Sequence, residues 1–197
     1  LSPLPRLPGE AFGERGFQTY RGDVEKMSRT PGARHGVGVR VGKDVTPFRA
    51  APPSLFVDPS DFEGRFRPPE AWKLVRGYVR QTARFPMAAL ADGTPFRNSV
   101  LAVFGAEGLG EEALVAYLNA WPIRFFHFMR FRDARQGMPQ VKIGHLRSLP
   151  RCEKAGLAAA LTKIGSEIGR RNAGIEPERQ AELDALVSSA LRLSARE

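Results

Sequence analysis

The spacing of apolar residues changes at Gly110, and this change constrains the fold more than any other feature of the chain. Before this glycine, short apolar segments such as 98–104 lie between turn residues, which is typical of strands. After it, apolar residues recur at helical spacing, namely Leu114, Leu118, Phe125 and Met129. The sequence therefore predicts an α+β fold with a β-rich platform in the first half, a central helix and a C-terminal helical hairpin.

Strands are predicted at three places in the first half. Residues 37–48 alternate small apolar and other residues and should form one strand that ends in a turn. An apolar run followed by Asp92-Gly93 predicts the tight turn of a β-hairpin whose second strand is 98–104. Residues 71–82 alternate less regularly. Their expected inward face carries Trp72, Leu74 and, less regularly placed, Tyr78.

The chain divides into two parts by composition. Residues 1–36 are rich in proline, glycine and charge, and we expect a linker or N-terminal extension. Residues 37–197 should form one domain, β-rich over 37–104 and helical over 111–197. Because the sequence begins with Leu1 and not with methionine, we expect it to be a fragment of a longer protein.

The second half contains clear helix signals. Glu111 and Glu112 suit the first turn of a helix, where the helix dipole favours acids. Pro122 interrupts the pattern near 119–122, so we expect a second helix that restarts at this proline. The apolar stripes of 157–168 and 183–193 predict a closing hairpin of two helices, with Pro177 starting the second. The balanced charge of this hairpin favours a scaffold or an interface.

Positive charge is concentrated in the middle of the chain. The net charge is +9, and residues 71–152 carry 12 bases and 5 acids, so this section holds seven of the nine charges. Residues 1–70 carry 11 bases and 9 acids, and residues 153–197 carry 7 of each. A basic cluster favours a polyanionic partner such as nucleic acid. A basic surface that only keeps the protein soluble is the alternative.

The stretch 117–151 combines this charge with aromatic residues. It holds seven Lys or Arg residues against one acid, Asp133. Its aromatic residues could stack on unpaired bases, but their helical spacing favours core packing. The residues concerned are Trp121, Phe125, Phe126 and Phe128.

Two groups of side chains are candidate DNA contacts, because guanidinium and amide groups bind phosphates and read base edges. The first group follows the central helix and comprises Arg130, Arg132, Arg135, Gln136, Gln140 and Lys142. The second comprises Arg76, Arg80, Gln81, Arg84, Arg97 and Asn98. In the second group, Arg76, Arg80 and Arg84 should share one face in either a strand or a helix. The alternatives are a solvated face for the arginines and a turn role for Asn98.

Several other kinds of site are not indicated. Cys152 is the single cysteine, which excludes an internal disulfide and fits a reducing cytoplasm. The three histidines lack metal-ligand spacing, and no grouping predicts catalysis, so we expect no catalytic and no metal-binding residues. A small nuclease would need paired carboxylates, and Asp58, Asp61 and Glu63 instead resemble loop charges. No apolar run is long enough to span a membrane.

Four passages, taken in order, resemble the TaqI-type C-terminal target-recognition domain of bacterial adenine-N6 DNA methyltransferases and fused restriction–modification enzymes. The first three are a glycine-containing strand at the start of the domain (39–49), a strand with basic residues and Gln (72–90), and a helix followed by an extended segment that ends in Leu-Pro (114–150). The fourth is a closing helix (182–197). Asn119 is followed by Ala120 where the family usually has serine.

This resemblance implies a sequence-specific module that binds double-stranded DNA in the bacterial cytoplasm. It also implies an upstream methyltransferase domain of the same chain, which would bind S-adenosylmethionine. The string nearest to that domain's catalytic motif is Ala51-Pro52-Pro53-Ser54, which lacks the amide or carboxylate and the aromatic residue that the motif needs. We therefore expect no enzymatic activity and no cofactor in this part. The alternative is a scaffold domain that docks the catalytic half of the same enzyme.

Overall fold

In a computed structural model that describes residues 4–14, 16–131 and 137–192, antiparallel sheets occupy the first half of the chain and helices the second. The expected α+β class is confirmed. The central helix and the C-terminal hairpin are also present.

Within these residues the largest sheet has four antiparallel strands in the order β1-β9-β7-β8. These strands are β1 (Phe12–Gly13), β7 (Gly77–Arg80), β8 (Ala88–Leu90) and β9 (Val100–Val103). Both faces of this sheet are covered, because Val79 packs into the cluster beneath the helices while its neighbour Tyr78 packs into a second cluster on the other side. The sheet is therefore the middle layer of the fold.

Smaller sheets cover the face away from the helices. β6 (Leu55–Val57) lies between β2 (Met27–Ser28) and β3 (Val37–Val39), and β4 (Val45–Thr46) pairs with β5 (Arg49–Ala50). The single strand expected over 37–48 is therefore wrong. A short turn at Gly42–Asp44 divides it into β3 and β4, because the Asp44 carboxylate accepts the backbone N–H of Val41 at 2.9 Å.

The linker expected over residues 1–36 is also wrong for the residues described. Phe12 and Phe17 are buried, β1 extends the central sheet beside β9, and β2 pairs with β6. These residues are packed because isolated apolar side chains between the prolines and glycines reach both clusters. Composition alone therefore gave the wrong prediction here.

The hairpin expected around Asp92-Gly93 does not form. β8 and β9 each pair with β7, which lies between them in the sheet. The connection between them is held by other segments, since Arg40 N–H donates to Pro95 O at 2.8 Å and Phe17 N–H donates to Phe96 O at 3.0 Å. Gly93 does occupy a turn conformation, with φ of 80°.

Residues 71–82 also differ from the single alternating strand that was expected. They contain most of a short helix, α1 (Pro69–Lys73), followed by β7. Trp72 and Tyr78 are buried as expected, but Leu74 is 62% exposed because it caps the end of the helix and does not lie in the sheet.

The longer helices of the second half lie where the sequence predicts them, although Phe125 and Met129 of the predicted stripe are exposed. It comprises α2 (Glu111–Asn119), α3 (Trp121–Arg130), α4 (Ile143–Arg147), α5 (Leu157–Arg171) and α6 (Pro177–Ala190). The expected break falls at Ala120, whose extended backbone separates α2 from α3, and α3 begins one residue before Pro122. The backbone N–H of Trp121 donates to the Asp184 carboxylate at 2.6 Å, so α6 caps the start of α3.

A buried asparagine closes the outer side of strand β8. The Asn119 amide accepts from Ala88 N–H at 3.0 Å and donates to Ala88 O at 2.7 Å, as a neighbouring strand would. The buried Arg124 donates to Asn119 at 3.0 Å and to Pro86 O at 3.2 Å. These bonds fix the chain that leads into β8 against the start of α3.

A partly buried ion pair ties the small sheets to the central one. Arg40 is 1% exposed and donates to both carboxylate oxygens of Asp92, at 2.7 and 3.0 Å. Partial burial alone would raise the pKa of Asp92, but hydrogen bonds from Arg40 and Thr94 outweigh it and hold that pKa well below its usual range.

Replacing Asp92 with asparagine should lower the free energy of unfolding by about 2 kcal/mol at neutral pH, because the buried Arg40 loses its charged partner. This estimate lies below the roughly 3–5 kcal/mol of a fully buried pair, since 54% of the Asp92 side chain is exposed. Because folding lowers the pKa of Asp92, the ion pair contributes its full stabilisation above about pH 4, where aspartate is ionised in the unfolded chain. This stabilisation is lost as the pH falls through the pKa of Asp92 in the folded chain.

Urea unfolding at a series of pH values measures this effect. The stability of Asp92→Asn should vary less than that of the native chain below about pH 4. Glu70→Gln, which removes an exposed carboxylate from the first turn of α1, is the matched control. Equal acid sensitivity in Asp92→Asn and the native chain would contradict the assignment.

Candidate nucleic-acid interface

One end of the central sheet gathers most of the predicted contact residues. β7 ends at Arg80, where β8 and β9 begin, because both run antiparallel to it. The loop 81–87 and residues 97–99 therefore lie side by side, and Gln81 N–H donates to Ser99 O at 3.0 Å. We call this end the basic rim. Its members are Arg80, Gln81, Arg84, Arg97, Asn98, Arg130, Gln140 and Lys142.

The segment after the central helix joins the rim through a backbone hydrogen bond. Val141 is buried, and its N–H donates to Gln81 O at 2.7 Å. This bond places the two neighbours of Val141, Gln140 and Lys142, beside the loop after β7, and both are exposed. The two groups of predicted contacts, which are about 60 residues apart in the sequence, thus meet at one place.

Arg130 reaches the rim at the end of α3. It is exposed, and its guanidinium lies 5.9 Å from the Phe131 ring centroid. The Phe131 ring stacks on His145 at 4.0 Å, and Lys142 N–H donates to His145 Nδ1 at 3.3 Å. The end of α3 is therefore held against the start of α4.

His127 and His145 are both buried, and His127 Nε2 lies 3.3 Å from His145 Nδ1. Their rings join α3 to α4. Within the described ranges, no three His, Cys, Asp or Glu side chains are grouped so that they would hold a metal ion.

The segments that build the rim contain no acids in the described chain. Residues 80–87, 97–99, 121–131 and 137–147 contain seven Arg or Lys residues and no Asp or Glu. Asp133 belongs to the intervening residues outside the described ranges. Five of the seven bases are rim members, since Arg124 is buried and Arg147 donates to Phe12 O. The rim therefore carries an excess of positive charge, which favours a polyanion.

The rim residues differ in how free their side chains are. Arg84 is exposed, whereas Arg80 donates through Nε to Thr82 O at 2.8 Å, which fixes its stem. Arg97 is partly buried, and burial lowers its pKa while it donates a short hydrogen bond to the Thr19 hydroxyl. Asn98 is half-buried beside Phe17. Arg84 is thus better placed than Arg97 to contact a ligand.

Arg76 does not belong to this group. It precedes β7, so it lies at the opposite end of the sheet, about 13 Å of strand from Arg80. There it lines a surface depression together with Lys73, Glu111 and Glu112, and the carboxylates of the two glutamates offset its charge. Arg84 lies beyond the end of β7, so the expected stripe of Arg76, Arg80 and Arg84 is wrong.

Three predicted contacts, Arg132, Arg135 and Gln136, lie outside the described residues. The carboxylates considered for a nuclease are in the first half of the chain. Asp58 accepts from Ser60 N–H at 2.9 Å and caps a short turn, and Asp61 lies 4.0 Å from Arg34. These are the roles expected of loop charges.

The aromatic residues of α3 are less buried than predicted. Trp121 is 52% exposed and Phe125 is 47% exposed, while Phe126 packs against the core. The inward face of α3 is instead formed by Ile123, Arg124 and His127, which the pattern of large aromatic residues concealed. The expected core role is therefore wrong for Trp121 and Phe125.

These exposed rings border a cleft of about 290 Å³ next to the rim. We call it the aromatic cleft. It is lined by Arg84, Phe85, Trp121, Arg124, Phe125 and Phe128. The Arg124 guanidinium lies 5.4 Å from the Phe85 ring centroid, and burial lowers the pKa of Arg124 to about 10. Arg84 belongs to both the cleft and the rim. No sequence pattern indicates the cleft, because its walls come from two distant segments.

None of the helices in the described parts of the chain combines the length and apolar character needed to cross a lipid bilayer. Comparison with known protein families gives no match to this sequence, and comparison with curated proteins gives no similar protein.

Proposed function

We propose that this chain is a DNA-binding target-recognition module that carries no catalytic site of its own. The observation that supports the proposal most strongly is the basic rim. Three separate segments converge there, and their described residues contain no acid. Such a surface suits the phosphates of a nucleic acid, whose binding depends on the number of cations that meet the backbone.

Different rim residues suit different parts of the DNA. Arg84 and Arg130 are exposed and would contact phosphates. Gln81 and Gln140 are brought together by the bond from Val141 N–H to Gln81 O, and their amides would read adenine edges through paired hydrogen bonds. Sequence preference in this proposal comes from the amides, and most of the affinity comes from the arginines.

The resemblance to TaqI-type domains specifies the proposal further. In this interpretation the module positions an adenine-N6 methyltransferase domain of the same enzyme over its site, and that domain binds S-adenosylmethionine. A nuclease fused to the same enzyme is compatible with this arrangement. The module itself would supply site recognition in a bacterial restriction–modification or phage-defence system.

Salt titration of DNA binding tests the proposal. With about four phosphate contacts, log K should fall with log[salt] at a slope of about −4, so affinity for a short duplex should drop roughly a hundredfold between about 50 and 200 mM salt. Fluorescence anisotropy measures the slope, and selection from a random duplex pool measures the sequence preference. Salt-insensitive binding, or no duplex binding at low salt, would contradict the proposal.

A second candidate function is docking of another protein domain, such as the catalytic half of the same enzyme. It is favoured by a separate cleft of about 890 Å³ at the end of the sheet opposite the rim. The cleft is bordered by Pro59, Pro68, Pro69 and Trp72. Under this alternative the purified chain would bind the catalytic domain and not DNA, so the same titration separates the two functions.

A further inference from the structure

We infer that the aromatic cleft binds a single nucleobase that has left the DNA stack, and this inference rests on the proposed DNA-binding function. The cleft has aromatic walls, an arginine at its mouth and a position next to the rim. Each of these properties is what an unstacked nucleotide requires, since every base has a face that stacks on aromatic rings while its phosphate attracts cations.

The walls of the cleft present faces that are available for stacking. Phe85 and Trp121 meet edge to face, at 6.0 Å and 77°, so their contact does not cover both ring faces. Trp121 and Phe125 follow each other by one helical turn and are each about half exposed. Large aromatic residues at this spacing form a platform on the surface of α3.

The cleft is also held in place by the fold. Trp121 begins α3 and is anchored by its backbone bond to Asp184. On the other wall, Phe85 lies against Arg124, which is itself fixed by bonds to Pro86 O and Asn119. A preformed site of this kind binds a base without the cost of ordering its walls.

Charge favours a nucleotide over an apolar protein segment. Arg84 is exposed at the mouth of the cleft, and neither Asp nor Glu is among its lining residues in the described chain. The Asp184 carboxylate is engaged by the backbone of Trp121 and by the Gln180 amide, at 2.6 and 2.8 Å. A phosphate next to the bound base would therefore meet Arg84 without a competing carboxylate in the cleft.

The cleft would hold a base without modifying it. The base enters where Arg84 joins the cleft to the rim, so it would belong to the DNA bound on the rim. Stacking of this type tolerates every base, and the cleft should therefore stabilise opened DNA without adding sequence preference.

The test compares a fully paired short duplex with the same duplex carrying one unpaired adenine. The 197-residue chain should bind the bulged duplex about tenfold more tightly, as expected for stacking of one base. Trp121→Ala and Phe125→Ala should each bring the two affinities close together, whereas Trp121→Phe should retain most of the preference. Leu74→Ala, which truncates an exposed apolar side chain outside the cleft, should behave like the native chain.

Tryptophan fluorescence gives an independent measurement. Trp72 is buried and Trp121 is half exposed, so quenching by the bulged duplex should come from Trp121 and disappear in Trp121→Phe. Duplex binding without a preference for the bulge would overturn the proposed base binding in the cleft and leave the proposed function intact. The absence of binding to both duplexes would overturn both. A preference that survives in both alanine variants would overturn the cleft, as would self-association of the native chain that Trp121→Ala abolishes.

Discussion

Replacing Gly165 with alanine should destabilise the protein by about 3 kcal/mol or more, because α2 and α5 cross at this glycine. A Cβ atom added at Gly165 would lie 2.1 Å from the backbone oxygen of Glu112 and 2.7 Å from its carbonyl carbon. Backbone atoms cannot rotate away as a side chain can, so the two helices would have to separate. Since α2 also packs on the sheet, the separation would disturb the main core.

Thermal and urea unfolding measure this effect, with two other glycines as controls. At Gly169 the atoms nearest to a new Cβ belong to the Leu90 side chain, the first at 2.6 Å, and a side chain can move away, so Gly169→Ala should cost less. At Gly144 in α4 no atom lies within 4 Å, so Gly144→Ala should be neutral or stabilising by up to about 1 kcal/mol. For a chain of this length the loss in Gly165→Ala corresponds to a fall in Tm of roughly 6–12 °C. Unchanged stability in Gly165→Ala would mean that the two helices do not cross there.

The helical half could be predicted because its signals are local. The apolar residues Leu157, Leu161 and Ile164 recur at helical spacing and are buried as expected. Pro177 starts α6, as the proline signal indicates. Where a helix carries aromatic residues on several sides, as α3 does, the pattern no longer shows which face turns inward. The burial of Arg124 in place of Phe125 is the consequence.

The sheets were harder to predict because their pairing is not local. β1 and β9 are about 90 residues apart, yet Phe12 pairs with Val103. No turn signal connects such strands, and short strands of two or three residues carry too little alternation to be distinguished from loops. Asp92-Gly93 shows the converse error, since a genuine turn signal was assigned to the wrong pair of strands.

The candidate site was partly predictable for the same reasons. Residue type and charge identified the two groups of arginines and amides, but their meeting depends on the bond between Val141 and Gln81, which no sequence pattern reveals. The exclusion of Arg76 follows from the length of β7, and the aromatic cleft follows from the approach of the 81–87 loop to α3. Composition thus predicted which residues are candidates for DNA binding, while the topology determined which of them share a surface.

Changing Arg80, Arg84 and Arg130 together to alanine should weaken binding to a short DNA duplex by roughly two orders of magnitude at about 100 mM salt. Each lost phosphate contact removes about 0.9 from the slope of log K against log[salt], so the slope should become shallower by about 3. The three side chains are exposed or partly exposed and lie outside the apolar core. Their removal should therefore leave the unfolding free energy almost unchanged, which urea titration checks.

The matched control removes the same charge from the helical hairpin. Lys163, Arg170 and Arg171 are exposed on α5, which contributes no residue to the rim, and their triple alanine variant lowers the net charge equally. If binding arises from the rim, this control should keep the native slope and lose only a few-fold in affinity through the weaker long-range field. Equal losses in the two variants would show that DNA binding depends only on net charge and would contradict a defined interface.

The rim variant should lose affinity for all duplex sequences to the same extent. Such a uniform loss would assign these arginines to phosphate contacts and leave the reading of bases to Gln81 and Gln140.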